Sequence, residues 1–172
     1  LAARRLWEDV ARLVDALHPV WLAHAHYAQA ARGYAWAVAA ATARNDEVAR
    51  AQALIRLGFV GCELGDFRTA SEHLQAGQVA AAQTGAAVLV AEALFLRVRI
   101  AIEQNELEQA DEWLDACHRI YGAAGDEAGL ARTQREQGLL AYRGGDYTTA
   151  FARCREALAI QERLGDAAGM LA

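Results

Sequence analysis

Apolar and small residues recur along this chain at spacings of three and four, and the whole pattern repeats with a period of about 40 residues. In the second copy, Leu54, Leu57, Gly58 and Gly61 follow this spacing. Such spacing places side chains on one side of an α-helix and predicts a buried stripe. Aligning the sequence at the repeat period gives four copies. A fixed period of this size is typical of repeat proteins.

Turn residues divide each copy into two predicted helices. The column between copies reads Asn45, Gly85, Gly125 and Gly165, and the column within copies reads Ala25, Gly65, Asn105 and Gly145. Gly and Asn adopt the left-handed backbone that ends many helices. Acidic residues such as Asp46, Asp66, Asp126 and Asp166 follow several turns and are predicted to cap the next helix. The pattern predicts helices of roughly 16 to 18 residues, one of them over about Glu47 to Leu64 and the next from near Phe67.

The first copy is degenerate, because Ala25 and His26 stand where other copies have Gly and Asp. Pro19 falls inside its first predicted helix and lacks the backbone N–H group. It is therefore expected either to kink that helix or to restart it. With Ala25 at the turn, a single long bent helix from Pro19 to Ala43 is the alternative.

Composition favours an all-helical protein. The 172 residues are 55% hydrophobic, alanine dominates, and there is one proline. No apolar run is long enough to cross a bilayer and no signal peptide is visible, so a cytoplasmic location without membrane contact is expected. The missing initiator Met, and an end at Leu171-Ala172 where a further helix should start, indicate a piece of a longer protein.

Charge and side-chain chemistry exclude several functions. The net charge of −5 argues against a nucleic-acid surface, which needs a basic excess. The histidines include no i, i+4 pair, and His24 and His26 are expected to point to different sides of a helix, so no metal site is predicted. No phosphate loop or nucleophile motif occurs, so no catalytic residue and no cofactor are expected. The cysteines Cys62, Cys117 and Cys154 are interpreted as reduced, buried thiols. The tryptophans Trp21, Trp36 and Trp113 are interpreted as packing residues.

The repeated landmarks resemble the tetratricopeptide repeat. The second copy matches that pattern at Leu57, Gly58, Gly65, Asp66, Phe67, Ala70 and Leu74. The fourth copy matches it at Gly138, Gly145, Asp146, Tyr147, Ala150, Ala157 and Leu158. The third copy departs, with Arg97-Val98 where Leu-Gly is expected. The family's usual period is about 34 residues, and the longer period here is similar to repeats of bacterial multidomain regulators. Those include signal-transduction ATPases with numerous domains and maltose-regulator-type activators.

The resemblance implies an all-α fold, a right-handed superhelical solenoid of antiparallel helix pairs. Residues 1–172 would form a single array, with approximate repeats 7–46, 47–86, 87–126 and 127–166 followed by the start of a further helix.

The resemblance also implies a partner-binding concave face lined by the first helix of each repeat. In the last three repeats this face comprises Gln52, Ile55, Phe59, Cys62, Glu63, Glu92, Phe95, Arg99, Ile102, Glu103, Arg132, Arg135, Leu139, Tyr142 and Arg143. The first repeat would add Arg12, Asp15, Leu22 and Ala23.

Two interpretations of this face remain open. Its large apolar residues indicate a binding groove, or they are covered by the solenoid's own curvature or by another domain. Its arginines hold a carboxylate or an acidic peptide, or they pair with Glu92, Glu103 and Glu136 on neighbouring turns. The family's chaperone-type carboxylate clamp uses Asn and Lys; this face has no Asn and the chain has no Lys, so a chaperone tail is not the expected partner.

The leading functional hypothesis is a non-enzymatic module that binds a protein or peptide in the concave groove. The partner could be another domain of the same parent chain, within a bacterial signalling or transcription-regulatory protein. A first alternative is a small-molecule sensor array coupled to an ATPase or a DNA-binding domain. A second is a scaffold that self-associates end to end through exposed faces, including Leu171.

Overall fold

The computed structural model describes residues 2–165, with side chains from Leu6 onward, and this part of the chain consists of helices joined by short turns. The eight helices are α1 (Ala2–Ala23), α2 (Tyr27–Ala43), α3 (Glu47–Glu63), α4 (Phe67–Gln83), α5 (Ala87–Glu103), α6 (Leu107–Ala124), α7 (Glu127–Arg143) and α8 (Tyr147–Leu164). No strand occurs within residues 2–165, so the all-α prediction is confirmed. Of the helices in that range, none combines the length and the apolar character that crossing a bilayer requires.

The turns adopt the predicted left-handed backbone. All eight turn positions have φ between +52° and +81°, and five of them are glycines. The other three are Ala25, Asn45 and Asn105. Because Ala25 has φ +52°, a turn separates α1 from α2, and the alternative of one long helix from Pro19 to Ala43 is wrong. Pro19 lies inside α1, which continues to Ala23 and is not restarted there.

Aspartates cap four of the helices, as predicted. The side chains of Asp46, Asp66, Asp126 and Asp146 each accept a hydrogen bond from the backbone N–H three residues later. Such a bond satisfies one of the amides left free in the first helical turn. Glu106, in the equivalent position before α6, makes no side-chain cap. Asp166 lies outside the described residues, as does the predicted start of a further helix with Leu171.

The chain divides into two compact units, and the boundary falls between Leu96 and Arg97, inside α5. In unit 1, α1 packs on α2, α2 on α3, and α3 on α4. In unit 2, α6 packs on α7 and α7 on α8. Helices that follow one another in the chain thus pack together within each unit, as in an α-α solenoid. The right-handed superhelix stays a prediction.

Small residues make the hollows in which neighbouring side chains lie. A Cβ atom added at Gly58 would lie 2.3 Å from Cγ of Leu74, and one added at Gly138 would lie 2.6 Å from Sγ of Cys154. The two pairs occupy equivalent positions, α3 against α4 and α7 against α8. Close packing in a protein interior leaves no room for an extra methyl group at such points. The predicted alternation of bulky and small residues therefore has the expected physical cause.

Two predictions of burial are wrong, those for Cys154 and Trp36. Cys154 is exposed, although Leu74 and Leu114 at the equivalent positions are fully buried. Tyr147, at the position equivalent to the half-buried Phe67, is also exposed. Both lie on α8, which among the described helices packs on α7. Trp36 is 61% exposed on α2, so it is not a packing residue of unit 1.

Candidate functional site

The predicted binding face is most open on α7. Arg132, Leu139, Tyr142 and Arg143 are exposed, and Arg135 is half-buried. These positions follow spacings of three and four, which place them along one side of the helix. The side of α7 that carries Ala131, Gln134 and Gly138 is buried instead. The sequence pattern therefore separates an open side of α7 from its packed side correctly.

In unit 1 the predicted face is only partly open. Gln52 is exposed and Glu63 is half-buried. Ile55 and Cys62 are buried, with 5% and 2% of their surfaces exposed. Ile55 packs closely against α4. A Cβ atom added at Gly77 of that helix would lie only 2.9 Å from Cγ1 of Ile55. Ile55 and Cys62 are therefore core residues, and the expectation that they lie on an open face is wrong.

The aromatic residues of this face in unit 1 are half-buried as well. Phe59 packs against the cluster of Val14, Ala30, Tyr34 and Val60. Its ring also contacts Tyr27 edge-on, with centroids 6.4 Å apart. Glu92 and Phe95, on the part of α5 that belongs to unit 1, are half-buried. Neighbouring side chains cover much of the surface of these residues. This favours the interpretation that the protein's own packing covers part of the face.

The remaining predicted residues are distributed between the units. In unit 2, Arg99 and Glu103 are exposed and Ile102 is half-buried. In unit 1, Asp15 accepts a hydrogen bond from Nη1 of Arg56 at 2.8 Å, which links α1 to α3. Arg12 and Ala23 are exposed and Leu22 is half-buried.

A larger apolar surface extends from α7 onto α8. Tyr142 and Tyr147 meet edge to face across the turn, with ring centroids 5.5 Å apart. Leu139 lies one turn before Tyr142, and Phe151 one turn after Tyr147, so the four side chains are neighbours. Their exposed fractions are 48% for Leu139, 61% for Tyr142, 66% for Tyr147 and 70% for Phe151. We refer to these four residues as the α7–α8 apolar surface.

Sequence reasoning missed half of this surface. Tyr147 matched the aromatic position of the repeat, which is half-buried at Tyr27, Phe67 and Leu107. Phe151 was assigned no role. A signal was present, because the equivalent positions of Phe151 in the other copies are Ala31, Ser71 and Asp111. A large aromatic residue where other copies are small or polar indicates a feature that the repeat itself does not require.

The three arginines beside this surface differ in the contacts that their guanidinium groups make. Nη2 of Arg135 donates to Oε1 of Glu136 at 3.2 Å, so Glu136 pairs with an arginine, although with the adjacent residue and not with one on a neighbouring turn. The guanidinium of Arg132 lies over the ring of Tyr121, 6.0 Å from its centroid. Within residues 2–165, Arg143 is exposed and makes no ion pair or hydrogen bond. Arg143 is thus available to an external carboxylate.

Among the thiols and histidines of residues 6–165, Cys117 is buried and two histidines lie close together. Burial raises the pKa of the Cys117 thiol to about 12, so this group stays protonated at neutral pH. The rings of His24 and His26 lie 5.7 Å apart, because both residues belong to the α1–α2 turn and not to one helix. The expectation that they diverge is therefore wrong. Across the part of the chain that the structure describes, no three potential ligand side chains are grouped to hold a metal ion.

No protein-family model matches the chain, and no curated protein sequence matches it. Paired helices joined by short turns occur in several kinds of α-helical repeat protein, so the arrangement alone does not identify a tetratricopeptide repeat. The structure therefore shows an all-α architecture over residues 2–165, in which consecutive helices pack together within each unit.

Proposed function

We propose that this chain is a tetratricopeptide-type interaction module that binds a segment of another protein on the α7–α8 apolar surface. The observation that carries the proposal is the contiguous exposure of Leu139, Tyr142, Tyr147 and Phe151. Groups of exposed large apolar residues on a protein surface usually mark sites of interaction. Tyrosine is also enriched among the residues that contribute most to binding energy in interfaces.

The positive charge beside this surface favours a partner segment that carries a carboxylate. Arg132, Arg135 and Arg143 lie along the same side of α7 as Leu139 and Tyr142. Arginine binds carboxylates through paired, charge-assisted hydrogen bonds. The partner segment that fits best carries an apolar side chain for the tyrosines, with an Asp or Glu close to it. Such complementarity mainly sets which partner is chosen and how fast it associates.

Selection from a library of short random peptides, followed by affinity measurement with the full chain, tests this proposal. We expect the selected peptides to combine an aromatic or leucine residue with a nearby carboxylate. We expect Tyr142→Ala and Arg143→Glu each to weaken a selected peptide by about tenfold. Val79→Ala is the matched control, because Val79 is an exposed apolar residue on α4. Selected peptides that lack this combination, or that bind the variants as well as the original chain, would contradict the proposal.

The placement within a signalling or transcription-regulatory protein stays a prediction from the resemblance. The sensor alternative requires a pocket with converging polar groups. One cleft in unit 2 has that character.

A further inference from the structure

Unit 2 contains an open cleft of about 480 Å³ formed by α6, α7 and the start of α8. Its polar lining comprises Glu108, Asp111 and Asp115 from α6, Gln137 from α7, Asp146 at the N-terminal cap of α8, and Thr149 and Arg153 from α8. We refer to it as the α6–α8 cleft. Its volume lies within the range of about 300 to 1,000 Å³ that is usual for small-ligand sites.

Negative charge predominates in the cleft, because four carboxylates face one guanidinium. Nη1 of Arg153 donates to Oε1 of the buried Gln134 at 3.1 Å and lies 4.0 Å from Glu156. These contacts hold Arg153 at the α7–α8 side of the cleft. Among the described residues, Glu108 and Asp111 have no hydrogen-bond or ion-pair partner. Hydrogen bonds from the side chain and the backbone N–H of Thr149 lower the pKa of Asp146 from its ordinary value.

Gln137 is the second observation that points to a ligand. Its side chain lines the cleft although the residue is only 7% exposed. Its Nε2 donates to Oδ1 of Asp115 at 2.8 Å, whereas its buried Oε1 accepts no hydrogen bond from any described residue. Leaving a buried acceptor unsatisfied costs free energy. The last torsion of a glutamine side chain is soft, so the amide can turn its oxygen toward a donor that enters the cleft. Oδ1 of Asp115, released from Nε2, then accepts a hydrogen bond from the same donor.

Apolar groups complete the lining. Leu107, Leu140 and Ala141 border the same cleft as the carboxylates. A ligand that fits both parts has a positively charged donor group at the end of an alkyl chain. Arginine and lysine side chains have this form, since their methylene stems pack on apolar surface while the charged end makes hydrogen bonds.

The repeat itself does not require these residues. One repeat period before Asp115 and Gln137, the equivalent positions hold Gln75 and Arg97. Arg97 lies over the ring of Trp113, 4.3 Å from its centroid, and so takes part in internal packing. An uncharged Gln75 replaces the carboxylate of Asp115. The combination of carboxylates and an unsatisfied amide oxygen is therefore particular to the third and fourth copies.

We propose that the α6–α8 cleft binds a guanidinium or primary ammonium group on an alkyl chain. Asp111 and Asp115 provide the charged acceptors and Oε1 of Gln137 provides the neutral one. The source of the cation is either an arginine or lysine side chain of a peptide or a free aliphatic amine. Helical spacing places Gln137 on a different side of α7 from Tyr142, so this site is separate from the α7–α8 apolar surface.

Titration calorimetry with the full chain and matched ligands tests the site. N-acetyl-arginine amide and agmatine carry the guanidinium, and N-acetyl-citrulline amide has nearly the same shape without the charge. We expect saturable binding of the first two and none of the third. Tighter binding of agmatine would identify a free cation as the ligand, and tighter binding of the arginine amide would identify a peptide side chain. No saturable binding of either cation would overturn the proposal.

Substitutions of cleft residues test whether the ligand binds in the cleft. We expect Asp111→Asn and Asp115→Asn each to weaken binding by about tenfold, because each removes a charge-assisted hydrogen bond. Gln137→Met keeps the length of the side chain without the amide oxygen and should also weaken binding, and its melting curve reports whether the fold is retained. Glu112→Gln is the control, since Glu112 is an exposed carboxylate of α6 outside the cleft. Equal weakening by Glu112→Gln would show attraction to overall charge and contradict a specific site.

Discussion

At the scale of single residues, glycines have two different roles in this protein. Gly65 and Gly145 adopt positive φ in turns, with no atom near the position of a Cβ. Gly58 and Gly138 lie inside helices, where a neighbouring side chain occupies the space of the absent Cβ. The first role depends on backbone conformation and the second on packing. Substitutions at the two kinds of position therefore destabilise the fold for different reasons.

Alanine substitution at two helical glycines separates packing from helix propensity. A Cβ at Gly58 would lie 2.3 Å from Leu74 Cγ, whereas a Cβ at Gly122 would meet nothing closer than Leu130 Cδ2 at 3.9 Å. We expect Gly58→Ala to lower the free energy of unfolding by about 1 to 2 kcal/mol, because overpacking outweighs the gain in propensity. Gly122→Ala should raise it by about 0.5 kcal/mol. Urea unfolding followed by circular dichroism measures both, and a change of the same sign in the two variants would contradict this reasoning.

Residue spacing alone did not determine which predicted contact residues are open. Ile55 and Tyr142 were assigned to the same face by their helical positions. Ile55 is buried against α4, whereas Tyr142 is exposed beside Tyr147. The difference arises because the width of a buried stripe depends on how close the neighbouring helix lies, and helical periodicity carries no information on that distance.

At the scale of helices, the starts of α3, α4, α7 and α8 are determined locally. Each has an aspartate whose carboxylate accepts an amide of the first turn. At α3, the hydrogen bond from Ala49 N–H contributes most, and Arg44 next, to lowering the pKa of Asp46. Because the pKa is lower in the folded state than in the unfolded state, this carboxylate stabilises the fold above its ordinary pKa of 3.8. The stabilisation is lost as pH falls through the lower, folded value.

We therefore expect Asp46→Ala to lower the free energy of unfolding by about 1 kcal/mol at pH 7. The difference from the original chain should shrink as pH falls below about 4, because the carboxyl becomes protonated in both states. Urea unfolding at pH 7 and pH 3 tests both statements. Asp9→Ala serves as the control, since Asp9 is an exposed residue within α1, 3.8 Å from Arg12. A difference that is independent of pH would show that the Asp46 carboxylate does not act as described.

Which residues of α8 are exposed depends on the helices that pack against it. Its small residues Ala150 and Ala157 are buried against the preceding helix, as the repeat predicts. Cys154 and Tyr147 occupy positions that are buried or half-buried in earlier copies, yet both are exposed. A helix in a repeat array is covered from two sides, and only contacts with α7 are present in the described part.

At the scale of the whole molecule, charge and apolar surface act together on association. The chain has a net charge of −5 and an isoelectric point of about 5.5. Like charge keeps copies of a protein apart, and this repulsion vanishes where the net charge is zero. The α7–α8 apolar surface is then free to contact another copy.

We expect the apparent mass from light scattering to rise with protein concentration at pH 5.5 more steeply than at pH 8. Replacing Tyr147 and Phe151 together by serine should remove much of that rise, because the two side chains contribute exposed aromatic area. Serine at Trp36 and Val79, which are exposed outside this surface, gives a matched control. A rise at pH 5.5 that only the Trp36 and Val79 substitutions remove would place the association elsewhere.

The sequence by itself determined the local structure of this protein. The repeat period, the left-handed turns and the aspartate caps are properties of short segments, because backbone conformation and capping involve neighbours in the chain. Packing against other helices decided the rest. It buried Ile55, exposed Tyr147 and Cys154, and placed Gln137 beside Asp115 in the α6–α8 cleft. These outcomes depend on the distances between neighbouring helices, and those distances follow from the shapes of many side chains together.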